Sequence, residues 1–154
     1  MQIREAQAED LGAINEVIRA AVMSWSLPDR VKRLSMNSHC YDELDLHHYH
    51  FLVAEQARHI VGIAAIDTDR HHLDHQSALI LHGLYVLPQH HGEGIGTALF
   101  EAAANYIKQT GVDGILVRAQ KDATGFFEHC GMHRLAVTDE ERDYANRYWK
   151  TLTD

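Results

Sequence analysis

The stretch Leu84-Tyr85-Val86-Leu87-Pro88-Gln89-His90-His91-Gly92-Glu93-Gly94-Ile95-Gly96-Thr97-Ala98-Leu99 decides the reading of this chain. It begins as an apolar strand, and Pro88 cannot continue a central ladder. Glycines at 92, 94 and 96 then lead into a helix whose buried face would be Ile95, Leu99, Ala102, Ala103, Tyr106 and Ile107. Such a turn suits an anion. The first helical turn leaves backbone N–H groups unpaired, its dipole end is positive, and glycine lets the backbone come close. Phosphate or pyrophosphate is the natural guest. A turn that needs glycine only for its geometry would look the same. Two nucleotide readings fail on spacing. The third glycine comes one residue too early for G-x-G-x-x-G, and G-x-x-x-x-G-K has no lysine here.

Upstream, Ala78–Val86 reads as the strand that feeds this turn. Before it, Phe51–Glu55 and Ile60–Ile66 read as an antiparallel hairpin, followed by a polar loop over Asp67–Ser77. At the start, residues 2–5 form a short strand. Leu11, Ile14, Val17, Ile18, Ala21, Val22 and Trp25 then lie on one helix face that ends before Pro28. Residues 26–48 are irregular, with a short helix around Asp29–Leu34. Downstream, Gly111 stops the glycine-turn helix, Gly114–Ala119 is a strand and Asp122–Cys130 a helix stopped by Gly131. Two terminal strands are expected near Arg134–Val137 and Ala145–Leu152. The order β-α-α-β-β-β-α-β-α-β-β, with no repeat or linker, predicts one mixed α/β domain over residues 1–154.

Composition narrows the class. With 14 Lys plus Arg against 22 Asp plus Glu, the chain carries a formal charge of −8, which disfavours nucleic acid and anionic membrane surfaces as partners. No apolar run approaches the ~18 residues of a membrane span, and no signal peptide is evident, so a cytoplasmic protein is expected. Cys40 and Cys130 read as free thiols.

The quoted stretch resembles the acetyl-CoA signature of the GCN5-related N-acetyltransferases: a strand ending V-x-P, then Arg/Gln-x-x-Gly-x-Gly/Ala, then a helix. Ala123-Thr124-Gly125-Phe126-Phe127-Glu128-His129-Cys130-Gly131-Met132 is similar to the family's A-x-x-F-Y-E-K-x-G-F. The resemblance spans essentially the whole chain. It implies a mixed, mostly antiparallel central sheet with helices on both faces, and an enzyme that passes an acetyl group from acetyl-CoA directly to a primary amine. The backbone from about Gly92 through Glu93, Gly94, Ile95 and Gly96 to Thr97 would hold the pyrophosphate, with His91 at the signature's first position. Leu84, Tyr85 and Val86 would pair with the pantetheine arm and polarise the thioester carbonyl. Gln120, Ala123 and Phe127 would flank its other side, and the arm would lie in a splay between two strands.

Four positions depart from the pattern. His91 replaces Arg or Gln, Gln120 replaces Asn and Met132 replaces Phe. Phe127 stands where a Tyr commonly protonates the leaving thiolate. A Glu that helps deprotonate the amine is also missing, because its position is held by Ile80. His82, on a period of two with Ile80 and Leu84, is the candidate general base. Acidic residues at Asp29, Asp42, Glu43 and Asp45, and again at Asp139, Glu140, Glu141 and Asp143, favour a cationic small-molecule or peptide acceptor. The histidine clusters His47, His48, His50 and His71, His72, His75 read as solvated surface, so no metal is expected. A non-catalytic CoA-sensing member is the competing reading, and a homodimer is left open.

Overall fold

The computed structural model describes residues 1–139 and 146–153. Eight strands form one sheet: β1 Gln2–Glu5, β2 Tyr49–Gln56, β3 His59–Asp67, β4 His71–Leu73, β5 Gln76–Val86, β6 Gly114–Arg118, β7 His133–Arg134 and β8 Arg147–Thr151. Their order is β1-β2-β3-β5-β6-β8-β7, with β4 paired to β5. Every pairing is antiparallel except β5 with β6. The β5–β6 link needs a crossover, and α4, Ile95–Gln109, supplies it.

Helices cover both faces. Helix α1, Leu11–Met23, buries Ile14, Val17, Ile18, Ala21 and Val22, the face expected from their spacing. It packs on Val53, Ile63 and Ala65, and α2, Asp29–His39, lies beside it. On the opposite face, α4 places Ile95, Leu99, Phe100, Ala103 and Ile107 against Leu52, Ala64, Leu81, Ile115 and Val117. Each fully buried Leu or Ile side chain contributes roughly 1.5–3 kcal/mol to holding the layers together. Among the described residues, no helix is long and apolar enough to cross a membrane.

Several boundaries differ from expectation for local reasons. Helix α1 ends at Met23 instead of continuing through Trp25, and α2 runs to His39, beyond Leu34. A single turn, α3 Asp45–His48, precedes β2. The segment Asp67–Ser77 is not one polar loop: β4 forms within it and pairs with β5 around Asp74 and His75, both at positive φ. Ala57 and Arg58, also at positive φ, join β2 to β3 in the same way. Two-residue hairpin turns of this hand favour Asn-Gly or Asp-Gly. Asp-His and Ala-Arg carry little of that signal. The predicted helix over Asp122–Cys130 is a 3₁₀ turn, Lys121–Ala123, followed by α5, Thr124–His129. Strand β7 is confined to His133–Arg134, short of Val137. Ala145, Glu140, Glu141 and Asp143 lie outside the described residues.

Candidate active site

The site begins where two parallel strands part. Strands β5 and β6 pair from Ala78 opposite Gly114 to Leu81 opposite Val117, and no further. Strand β5 continues to Val86 on β3 alone, while β6 ends at Arg118. Among the described residues, the β5 edge from His82 to Val86 therefore has no strand on its β6 side. Backbone groups on such an edge call for another partner. A cavity of about 710 Å³ opens here, and Leu84, Tyr85, Val86, His91, Gly92, Gly94, Ile95, Gly96, Thr97, Gln120 and Ala123 all line it. These are eleven of the thirteen positions expected to meet the cofactor. Glu93 is not in the wall; its carboxylate accepts from His90 Nδ1 at 3.0 Å.

The glycine turn is built for close approach. Gly92 and Gly94 sit at φ +82° and +81°, where a Cβ is strained, and Gly94 caps α4 without any side-chain cap. The first intrahelical bond runs from Ala98 N–H to the Gly94 carbonyl, which leaves the N–H groups of Ile95, Gly96 and Thr97 without helical partners. A Cβ on Gly96 would lie 3.2 Å from the Phe126 ring, so this glycine lets α5 close against the turn. His91 Nε2 lies 3.1 Å from the Val86 carbonyl oxygen and, when protonated there, donates to the open edge of β5.

Phe127 requires a correction. Its ring is only 5% exposed and packs among Phe100, Phe126 and Tyr148 in the core beneath α4, away from the cavity wall. Phe126 faces the cavity instead. The six-residue α5 can turn only one ring of this pair outward. Met132 is likewise buried packing.

His82 is placed by a β-bulge. Ala65 pairs with Gly83 and Ile66 with Leu81, so two residues of β5 advance for one of β3 and His82 is the extra one. The bulge breaks the expected period of two. Leu84 packs toward α4, while Ile80 joins Leu116 and Trp149 on the other face. His82 turns to that other face as well, toward the rings of Tyr49 (4.6 Å between centroids) and Tyr41 (5.7 Å). It is outside the cavity wall, one bulge away from Leu84. Its Nδ1 is 2.7 Å from the Tyr41 hydroxyl. Tyr41 is 6% exposed, and burial pushes its phenol far above the usual tyrosine range, so it stays protonated. Among the described residues that hydroxyl has no other acceptor, so it donates to Nδ1. Although His82 is exposed as a residue, its ring is crowded. Desolvation pushes its pKa down, opposed by Asp67 and Asp45.

The opposite wall comes from the segment after α1, the start of the irregular 24–50 stretch expected to build the acceptor pocket, although Trp25 itself was expected to be core. Ser24, Trp25 and Ser26 line the cavity with Ala21. Lys32, only 5% exposed, holds them: its Nζ donates to the carbonyls of Met23 at 2.7 Å and Trp25 at 3.0 Å. Trp25 lies near-parallel to Tyr85 at 6.4 Å and edge-on to His39 at 5.1 Å. Burial raises the Tyr85 phenol to about 12. Ser26 N–H donates to Asp122 at 2.9 Å, tying this wall to the turn after β6. In that turn the Gln120 side chain accepts from Asp122 N–H. His90, Asp122 and Phe126 complete the additions. No local pattern marks Lys32 for this role, because its burial appears only once α2 packs beside α1.

A family model described as the acetyltransferase (GNAT) domain matches residues 28–145, more than half of the chain. The chain belongs to the GCN5-related N-acetyltransferase family. Solved structures share the fold. The PaiA N-acetyltransferase of Thermoplasma acidophilum, in complex with coenzyme A, is 18% identical, with 97% of this chain and 98% of that one covered and a TM-score of 0.75. A GNAT-family protein from Desulfovibrio desulfuricans is 16% identical, with 99% of both chains covered and a TM-score of 0.73. A GNAT acetyltransferase of Brucella melitensis, in complex with acetyl-CoA, is 19% identical, with 99% and 88% covered and a TM-score of 0.69. No curated protein matches the chain in sequence. In this acetyltransferase the two signature segments meet at one cavity, through Gly96 and Phe126.

Proposed function

We propose that the cavity binds acetyl-CoA and that the protein passes the acetyl group directly to a primary amine of a small molecule or peptide. The open β5 edge beside the unpaired N–H groups of Ile95, Gly96 and Thr97 carries this reading. Those amides, at the positive end of a 15-residue helix, suit a pyrophosphate. The free edge at Leu84–Val86 suits an amide-bearing arm that adds like a strand. Bound acetyl-CoA would supply an activated thioester, and a β5 N–H would polarise its carbonyl. His91 must release the Val86 carbonyl for the arm to pair there.

The amine must shed a proton before it attacks, since alkylamines titrate near ~10.4. His82 is the proposed acceptor, through Tyr41. With Tyr41 donating to Nδ1, the neutral ring carries its proton on Nε2, and the available lone pair faces the phenol. The Tyr41 hydroxyl receives a proton from the acceptor side, directly or through water, as it gives its own to Nδ1. The test is mass-shift screening of amino acids, polyamines, small amines and peptides with acetyl-CoA. A shift of one acetyl on at least one amine supports the enzyme. Tight CoA binding with no transfer across the panel assigns a binding module instead.

A further inference from the structure

We propose that His48, Asp67 and Asp69 form a site for one divalent transition cation of the zinc class, with His71 holding Asp67 from its far side. These residues stand at the end of the sheet where β2 begins and β3 turns into β4, outside the cofactor cavity. His48 Nε2 lies 3.1 Å from Asp67 Oδ1 and 3.7 Å from Asp69 Oδ2. One ligand atom from each residue falls within 4.8 Å of the others. Two ligands bound to zinc at about 2.0–2.1 Å and a tetrahedral angle lie roughly 3.3–3.4 Å apart. The observed separations bracket that edge, so small side-chain shifts close the set around an ion.

Charge favours the same occupant. Among the described residues, the ion-pair partners of Asp67 and Asp69 are histidines alone, and no Lys or Arg reaches either carboxylate. Two adjacent carboxylates with no Lys or Arg against them make a locally acidic site that a dication would neutralise. Imidazole with carboxylate suits zinc-class ions over magnesium or calcium, which prefer all-oxygen sets. The Asp67 side chain is 15% exposed, and His71 Nε2 meets its second oxygen at 3.4 Å. Such a partner orients a ligating carboxylate. The Asp69 N–H donates to Asp67 Oδ1, and the Thr68 hydroxyl donates to the His48 carbonyl at 2.6 Å, so the ligand-bearing segments are already joined. His48 and Asp69 remain open to solvent, which gives an ion an entry path and room for a water.

In the sequence His48 and His71 fall in two separate histidine clusters, each read as solvated surface, and Asp67 and Asp69 lie about twenty residues beyond His48. The β2–β3 hairpin brings them together. The site does not depend on the acetyl-transfer reading.

The test titrates chelator-treated full-length protein with Zn²⁺ by calorimetry and with Co²⁺ by visible absorption. One equivalent is expected, with the stronger d–d bands of a low-coordinate Co²⁺ site. H48A and D69N should weaken affinity on the order of 100-fold, and H71A about 10-fold. H72A, at an exposed position of β4, and H75A, on the turn that follows, should leave it unchanged. Zinc at a hundredfold excess over Kd should raise the melting temperature by about 5–11 °C, and H48A should abolish the rise. Equal titrations for wild type and H48A would show only diffuse binding by the 13 histidines and overturn the proposal. So would the absence of a one-to-one complex.

Discussion

The two walls of the cavity are made in different ways. The β5–α4 wall is backbone: glycines at positive φ, unpaired helix amides and a strand edge without a neighbour. The wall after α1 is made of side chains: Trp25 against Tyr85 and His39, held by the buried Lys32. A backbone wall can be read from where glycine and proline fall, because few residues permit that geometry. A side-chain wall depends on contacts between distant residues, and many sequences could make it. The first wall is the proposed seat of the cofactor, and the second the proposed seat of the acceptor.

Substitution can separate the two. The largest effect is expected at the proposed proton acceptor. His82→Ala should slow kcat/KM by about 100-fold or more and remove its acid limb, with CoA affinity unchanged. Because desolvation depresses the His82 pKa, activity should rise with pH through a midpoint below the ordinary histidine value of ~6.5. Tyr41→Phe should show the same loss if the proton passes through its hydroxyl. Full rate and an unchanged profile in both variants would place the base elsewhere, with Asp42 or Glu43 next.

Lys32→Met tests the side-chain wall. Two hydrogen bonds from a charged donor to the Met23 and Trp25 carbonyls are lost, at a cost of about 2 kcal/mol, so the melting temperature should fall by about 4–8 °C. The KM for the amine should rise more than the affinity for CoA falls. Phe127→Tyr should destabilise by about 1–3 kcal/mol, because the new hydroxyl enters an apolar core. Faster transfer in that variant would return position 127 to the reacting thiolate. The smallest effect belongs to the β2–β3 turn. Arg58→Gly relieves an exposed positive φ of 67° and should raise stability by at most about 1 kcal/mol, visible in urea denaturation. It should leave both walls, and hence catalysis, untouched.

What the sequence made legible follows the same division. Glycines 92, 94 and 96 with Pro88 located the strand-to-helix turn, and the spacing of Ile95, Leu99, Ala103 and Ile107 located the buried helix face. These are local patterns with a fixed period. The place of the bulge at His82, and the way it turns that ring, were not readable, because one extra residue in β5 shows only against its partner β3. It moved Leu84 to the α4 face and left His82 with Tyr41 and Tyr49. Within Phe126-Phe127, which ring faces the cavity depends on where a six-residue helix docks, and adjacent aromatics carry no period to decide it. Strand β4 escaped notice because Asp74-His75 lacks the usual turn residues.

The proposed seat of coenzyme A is the backbone cradle at residues 92–97. Calorimetric titration of CoA into the wild type and Gly94→Asp tests it most directly. The wild type should bind one equivalent, with NAD and ATP binding far more weakly. Gly94→Asp should remain folded by circular dichroism and lose binding by at least about 100-fold, since it adds a Cβ at φ +81° and a negative charge at the pyrophosphate seat. No binding of CoA to the wild type at millimolar concentration, or equal binding in the folded variant, would rule out this seat.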